Sequence, residues 1–481
     1  MGRASYKSRV ALIGLLALGA WSMTAAAQER ASFAGALQEL DGDHDRSIAA
    51  VQKLRAGGQS AAAAIRDVWP TLSLRAQRRA LVALASLAGD HRPAVQCLVE
   101  AAHSPDEQIR EGAFAGLRRA GPAGWDGLVA LLADPEVGDR AAVLLARTDP
   151  DAAIAPLLAA LTTEGGDGRP MLRGALGTAV QRAGESAGPK LRAWLETEPS
   201  ASAVANAALA LASIEEYGPV VAAFIEDAAP NSSDFSTAWR LLQSAAMAGP
   251  SEAVDHWIES QVQAPEEWML RQAAVDAIAS RGQRIAARVA LEDRYPRVRA
   301  RAARVLSKDA HSMTARATLA RKDPWPMVRA EAVASLRSEP VATPVIVAAV
   351  DDPMSEVRAA AIEVLTGVSH NKGWARIHAH LRNRNEWPQV TAAAIDYVVA
   401  HCRSDAVDAL FAVVRRAASP SVLTGDLNNA AQAIVALRTL NSPEAEAAVQ
   451  QLRGSAGVPP TLEMALEEPL PKYRRCAPPA R

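Results

Sequence analysis

The chain has 481 residues, 49% hydrophobic but only 4% aromatic, with 52 Lys and Arg against 53 Asp and Glu, a formal net charge of −1. This balance excludes a uniformly basic nucleic-acid coat and an acidic disordered chain. Apolar content carried by Ala and Leu, with few β-branched or aromatic residues, disfavours a barrel or strand-rich enzyme and favours closely packed helices.

The first 27 residues read as a secretory leader. Arg3, Lys7 and Arg9 form a basic start, Val10–Ala20 is an uninterrupted apolar run of 11 residues, and Ala25-Ala26-Ala27 precedes a polar Gln28-Glu29-Arg30. A membrane span needs about 20 apolar residues, so cleavage after Ala27 is expected. The mature chain has no second segment long enough to span a bilayer. It is expected to be exported, to the periplasm or the cell exterior.

Residues 28–453 carry one recurring pattern: a loop with an acid or proline, an apolar residue, Arg, two positions, Ala, then further apolar residues. It reads SPDEQIREGAFAGL from Ser104, APEEWMLRQAAVDAI from Ala264 and RYPRVRARAARVL from Arg294. The cleanest copies are DPWPMVRAEAVASL from Asp323 and DPMSEVRAAAIEVL from Asp352. Weaker copies anchor at Ser47, Gln77, Asp139, Leu172, Ala205, Thr391 and Asn428, with a degenerate one near Trp239. Thirteen anchors from 47 to 428 give a mean period of about 32 residues. Each copy has the spacing of an amphipathic helix followed by a second apolar helix, as at Ala94–Ala102 and Val341–Val350. A hairpin of this kind cannot bury its apolar face alone and must stack on its neighbours. The expected fold is all-α: an α-solenoid of about 13 stacked helical hairpins. A capping box is expected at Ser104–Glu107, and Pro296, Pro326 and Pro353 suit first turns.

On the V-R-x-x-A-A motif, clean in about five copies, the chain resembles the HEAT-repeat family. The likeness is to its short-period bacterial form related to the repeats of phycobilisome lyases, and it covers roughly residues 30–453. The resemblance implies a superhelix whose Arg-bearing helices line the concave face. It specifies fold and leaves function open. After Gly454 the pattern stops. Residues 454–481 read as a proline-rich, disordered tail with at most one short helix, Thr461–Glu467.

No motif meets the context its chemistry requires. Gly184-Glu185-Ser186-Ala187-Gly188 matches a nucleophile elbow, which needs a strand-turn-helix, yet it joins two helical runs. Asp41-Gly42-Asp43-His44-Asp45 resembles a calcium loop but has Arg46 where the turn glycine belongs and Gln52 where the bidentate Glu belongs. His370, His378 and His380 lack metal-ligand spacing. No catalytic residue, metal or cofactor is therefore expected. Cys97 and Cys402 are about ten repeats apart, or roughly 90 Å at ~9 Å per stacked helix, and both read as small core residues. Cys476 is left as a free thiol, a bridge to Cys402, or an intermolecular link.

Charge is unevenly distributed. Residues 185–267 hold 13 acids and 3 bases, whereas residues 271–337 hold 6 acids and 15 bases. Arg297, Arg301, Arg304 and Lys308 follow helical spacing and predict a basic face, separate from the anchor arginines Arg271, Arg299, Arg329 and Arg358. Those anchors are expected to pair with loop acids. Trp69, Trp325 and Trp387 precede prolines, and the last two stand four residues before an anchor. They read as staples between repeats, with edge contacts to a ligand as the alternative.

The expected function is a non-enzymatic scaffold binding a protein partner, an acidic one among the candidates, along its extended surface. Binding of an anionic polymer, lipid or acidic protein through the 297–308 face is the alternative, and a chromophore lyase-like enzyme is third. Export argues against a genomic nucleic-acid partner.

Overall fold

In the computed structural model the described residues are 32–162, 169–368, 372–417, 424–453, 459–467 and 476. The leader at 1–27 and most of the tail lie outside them. Among the described residues there is no strand, and no helix is long and apolar enough to cross a membrane. The fold is an all-α solenoid of helical hairpins. Its contacts divide into two compact units, Met1–Val254 and Asp255–Arg481.

In the first unit the anchor-bearing helices are His44–Ala56, Leu74–Leu87, Glu107–Arg119, Gly138–Thr148, Pro170–Ala183, Ala201–Leu211 and Phe235–Ala245. Each packs against the next, forming one layer, and the second helices of the hairpins, such as Arg92–Ala101 and Pro122–Leu131, form the other. Starts are set by local chemistry. The carboxylates of Asp43, Asp149 and Asp234 and the hydroxyls of Ser73 and Ser200 accept amide hydrogen bonds at N-caps. The Ser104 capping box does not form. The Glu107–Arg119 helix is capped by Asp106, whose carboxylate accepts from the Ile109 amide at 3.0 Å, while Ser104 Oγ accepts from the Asp106 amide. A carboxylate at the positive helix end is the stronger cap.

In the second unit the anchor helices are Trp268–Ser280, Pro296–Val305, Pro326–Ser335, Ser355–Thr366, Pro388–Ala400 and Thr424–Leu440. The residue before the anchor position (Val298, Val328, Val357, Val390) is fully buried, as are Ala302, Ala332 and Ala361 three places after their anchors. The small alanines let neighbouring helices approach closely. Val341–Val350 resolves into a 3-10 turn, Pro340–Ala342, and a helix, Thr343–Ala349.

A ladder of buried ion pairs links these repeats. Arg271 donates through Nε and Nη2 to both Asp293 oxygens at 2.7 and 3.0 Å. Arg299 does the same to Asp323 (2.8 and 3.0 Å), and Arg329 to Asp352 (2.8 and 2.8 Å). Arg358 donates to Glu386. The anchor arginines thus pair with loop acids, as expected, and each acid belongs to the following repeat. The remaining nitrogen, Nη1, turns back to carbonyls of the anchor's own loop: Asp293 for Arg299, Asp323 for Arg329 and Asp352 for Arg358, at 2.8–2.9 Å. For Arg271, Arg299 and Arg329 all three nitrogens find acceptors, which makes their burial tolerable; Arg358 Nε is buried without a partner.

The tail returns to the stack. Helix Pro460–Glu467 packs on Thr424–Leu440 and Pro443–Arg453, burying Leu462 and Leu466. Arg438 and Arg453 donate to the Ala465 and Leu466 carbonyls. Cys476 is disulfide-bonded to Cys402, with Cα atoms 5.8 Å apart.

Candidate functional site

The ladder fixes one edge of the second unit. Two residues after each of Asp293, Asp323 and Asp352, and directly after Glu386, the chain places a large residue at the helix N-cap: Tyr295, Trp325, Met354 and Trp387. All four have extended backbone, and each amide donates to its acid at 2.7–2.9 Å. The same carboxylate therefore holds the preceding repeat's arginine and orients this residue.

What the side chains do differs along the edge. Tyr295 stacks on Trp268 with ring centroids 4.6 Å apart. Trp325 is 53% exposed, Met354 41% and Trp387 60%, with Met327 beside them at 39%. Trp69 is buried, at 4% exposure, whereas Trp325 and Trp387 lack the burial expected of staples. An N-cap side chain leaves the helix at its end, and the space between these repeats is already filled by the ladder and by Val328 and Val390.

The basic face is resolved differently from its spacing. Arg297, Arg301 and Arg304 do share the Pro296–Val305 helix and line an open depression of about 220 Å³ with Gln272, Met327 and Glu331. Arg301 is bonded to Asp276 and Arg304 to Glu331, both from neighbouring anchor helices, and the Arg297 guanidinium lies 5.3 Å from the Trp268 ring centre. Lys308 lies beyond the helix, whose C-cap is Leu306, so it does not extend the stripe. Nine guanidiniums in 271–337 are paired: Arg271, Arg281, Arg288, Arg294, Arg299, Arg301, Arg304, Arg316 and Arg329. Several partners, among them Asp255, Glu266, Glu339 and Asp352, come from outside that stretch.

These pairs hold carboxyls in their charged form. Arg288 is the main cause that keeps Asp309 at about 2. Burial pushes Asp293 and Glu386 up, but their arginine and amide partners outweigh it and leave both below the usual carboxylate range. His380 completes the last rung, with Nδ1 2.6 Å from Glu386 Oε2 and Nε2 3.3 Å from Asp351 Oδ1.

The other sequence candidates occupy structural roles. Ser186 sits in a 3-10 turn between two helices, its Oγ 2.6 Å from Asp151 Oδ1. Asp43 caps a helix, and Asp41 accepts from Ser73. His378 stacks on Trp374, and His370 lies outside the described residues. Among the described residues no group of three or more His, Cys, Asp or Glu is placed to hold a metal. Cys97 is buried, as expected. Cys402 is not a core residue: it is exposed, at φ 47° just past the Pro388–Ala400 helix, a left-handed turn that leads its side chain to Cys476.

Sequence reasoning missed Met354, whose place in the Trp325–Trp387 row was visible only as the third member of one loop position. It also missed Arg316, which is fully buried and bonded to Ser312 Oγ and the Asp309 and Ser335 carbonyls. Nothing in its local pattern distinguishes it from a surface arginine.

No family model matches the chain, and no curated protein matches it. Among solved structures, Kap121p bound to Nup53p is similar with a TM-score of 0.50 and 12% identity, over 88% of this chain and 54% of that one. Kap121p bound to Pho4p gives 0.50 and 13%, over 87% and 54%. Yeast importin-beta (Kap95p) gives 0.42 and 13%, over 88% and 63%. The chain thus spans a little over half the length of the Kap121p structures. The likeness to Kap121p is one of fold, a HEAT-like repeat solenoid.

Proposed function

We propose that the chain is an exported, non-enzymatic scaffold that binds a protein partner along the inter-repeat edge of its second unit. One observation carries this reading: Trp325, Met354 and Trp387 stand exposed at equivalent N-caps of adjacent helices. Large apolar side chains in a contiguous exposed row mark an interaction surface, and tryptophan is the residue most enriched among interface anchors. The stacked repeats supply a rigid base, so binding costs little ordering of the scaffold. Kap121p, which shares the fold, is seen bound to Nup53p and to Pho4p, in keeping with a binding role for such a stack. The period of about 32 residues supports placing the repeats with the short-period bacterial form, without its pigment chemistry.

Export rests on the leader pattern of Met1–Ala27. The Cys402–Cys476 bridge supports it, because structural disulfides persist in oxidising compartments. A non-enzymatic role is supported by the structural employment of Ser186, Asp41, Asp43 and His380.

The test is paired affinity capture from envelope and culture-supernatant extracts, using native protein and Trp325→Ser/Trp387→Ser as baits. Expected is a protein retained in stoichiometric amount by the native bait and lost with the variant. Equal retention by both would remove the edge from the account. N-terminal sequencing of the mature protein should begin at Gln28, and an intact Met1 on chain recovered from the cytoplasm would sink the export reading.

A further inference from the structure

The charge along this edge says more than its hydrophobicity. Most of the positive charge between 271 and 337 is neutralised inside the fold by the pairs described above. Three exposed cations close to the edge tryptophans are not. Lys322 ends the helix Met313–Lys322, three residues before Trp325. Arg382 ends the helix Trp374–Arg382, and Arg384 lies in the loop that leads from it to Trp387. None of the three has a carboxylate partner among the described residues.

The 381–384 stretch, a helix end and the start of its loop, meets a further cation. Arg416 donates Nη1 to the Asn383 carbonyl at 3.1 Å and Nη2 to the Leu381 and Arg382 carbonyls, each at 3.3 Å. Burial, reinforced by the nearby Arg384 and opposed by Asp426, pushes the Arg416 guanidinium below its usual range. The acid of this loop, Glu386, is already held by Arg358 and His380, and Asp351 is held by Arg376. Glu356, just inside the Ser355–Thr366 helix, is exposed and has no cation partner among the described residues. Against Lys322, Arg382 and Arg384 stand Glu356 and, near Arg416 and Pro388, Asp426, so the rim of the apolar row keeps a small positive excess.

We infer that the occupant of the edge is an acidic, apolar segment of a partner protein. Its hydrophobic side chains pack on Trp325, Met354 and Trp387, and its carboxylates meet Lys322 at one end and Arg382 and Arg384 at the other. This rests on the reading of the edge as a binding surface. An apolar row bounded by unpaired cations favours a ligand that is both apolar and anionic, and repels a basic one of equal hydrophobicity. Guanidiniums standing free of carboxylates are also ready to take them bidentately.

The proposal is tested by display selection of random peptides on the oxidised full chain. Peptides of about 12 residues suffice, because the row crosses three helices at ~9–10 Å spacing and an extended chain covers ~3.3 Å per residue. Selected peptides are then measured by fluorescence anisotropy against native protein, Trp325→Ser/Trp387→Ser and Lys322→Glu/Arg382→Glu/Arg384→Glu. All five replaced side chains are exposed, and melting curves confirm that each variant is folded. Expected are peptides combining Asp or Glu with Trp, Phe or Leu, weakened about tenfold or more by either variant. Their affinity for native protein should fall with added salt, and that dependence should shrink in the charge-reversed variant. Peptides that need the tryptophans but are neutral or basic, or that bind the charge-reversed chain equally well, overturn the acidic occupant and leave the edge as a site. Selections yielding nothing that depends on the tryptophans overturn both.

Discussion

Replacing Cys476 with Ser should loosen the end of the solenoid and leave the rest of it intact. The bridge to Cys402 spans 74 residues of sequence and encloses the whole last hairpin. For a loop of that size the chain-entropy model gives a cross-link contribution of about 4 kcal/mol. That is an upper figure here, because Leu462, Leu466 and the arginine bonds to the Ala465 and Leu466 carbonyls hold the tail helix without it. Repeats contact only their neighbours, so the loss should concentrate in the terminal ones. Hydrogen exchange reads this directly: amides of Thr424–Leu440 and Pro460–Glu467 should lose up to about a thousandfold in protection, at roughly tenfold per 1.4 kcal/mol. Helices of the first unit should be unchanged. The reduced wild type should behave as the variant does, and Cys97→Ser should keep the terminal protection. Without reductant, the denatured wild type should present a single reactive thiol, that of Cys97. Three reactive thiols, or equal terminal protection with and without the bridge, would refute the reasoning.

Three further outcomes follow from the ladder and the edge. Asp323→Ala strands the buried Arg299 fork and removes the Trp325 amide's acceptor, so it should cost about 3–5 kcal/mol; Arg304→Ala, breaking an exposed pair, should cost under about 1. Equal costs in chemical denaturation would sink the distinction. Asp309, Asp293 and Glu386 are held below the usual carboxylate range in the folded chain. Their contribution is present above the unfolded value near ~4 and is lost as pH falls toward ~2, so Asp309→Asn should flatten the acid limb of a stability–pH curve. Trp325→Ser and Trp387→Ser should each change stability by no more than about 0.5 kcal/mol; a loss above ~2 in thermal melts would mean the rings do staple repeats.

The repeat was legible because Val-Arg-x-x-Ala-Ala is local: it encodes a buried apolar residue, a ladder arginine and two close-packing alanines within one helix. That the anchor arginines pair with loop acids was inferable because the motif repeats both, but that Arg299 reaches Asp323 of the next copy and not an acid of its own was not. The meaning of the basic stretch was not either, because Arg301 and Arg304 find Asp276 and Glu331 on other helices, and counting charge in a window cannot see across a stack. Lys308 was placed on the stripe by spacing, but the helix stops at Leu306, where a 3-10 turn at Ala310–Ser312 begins the return. Exposure of Trp387 and burial of Arg316 depend on which neighbour fills the adjacent space, and one-dimensional periodicity carries no record of that. Cys402 and Cys476 could be paired only once the tail had been brought back onto the last repeats.

The ladder also determines which changes of length the chain can absorb. Asp323 and Asp352 are 29 residues apart and play the same part toward the repeats on either side. Excising the stretch from 324 to 352 presents Arg299 with Asp323 followed by Pro353 and Met354, a junction with the same order of acid, proline and N-cap residue. Removing ten residues from the middle of that stretch leaves an arginine facing no acid. Whole repeats can thus be gained or lost with the frame of buried charges preserved, while fractional ones cannot, so the solenoid has a built-in unit of growth.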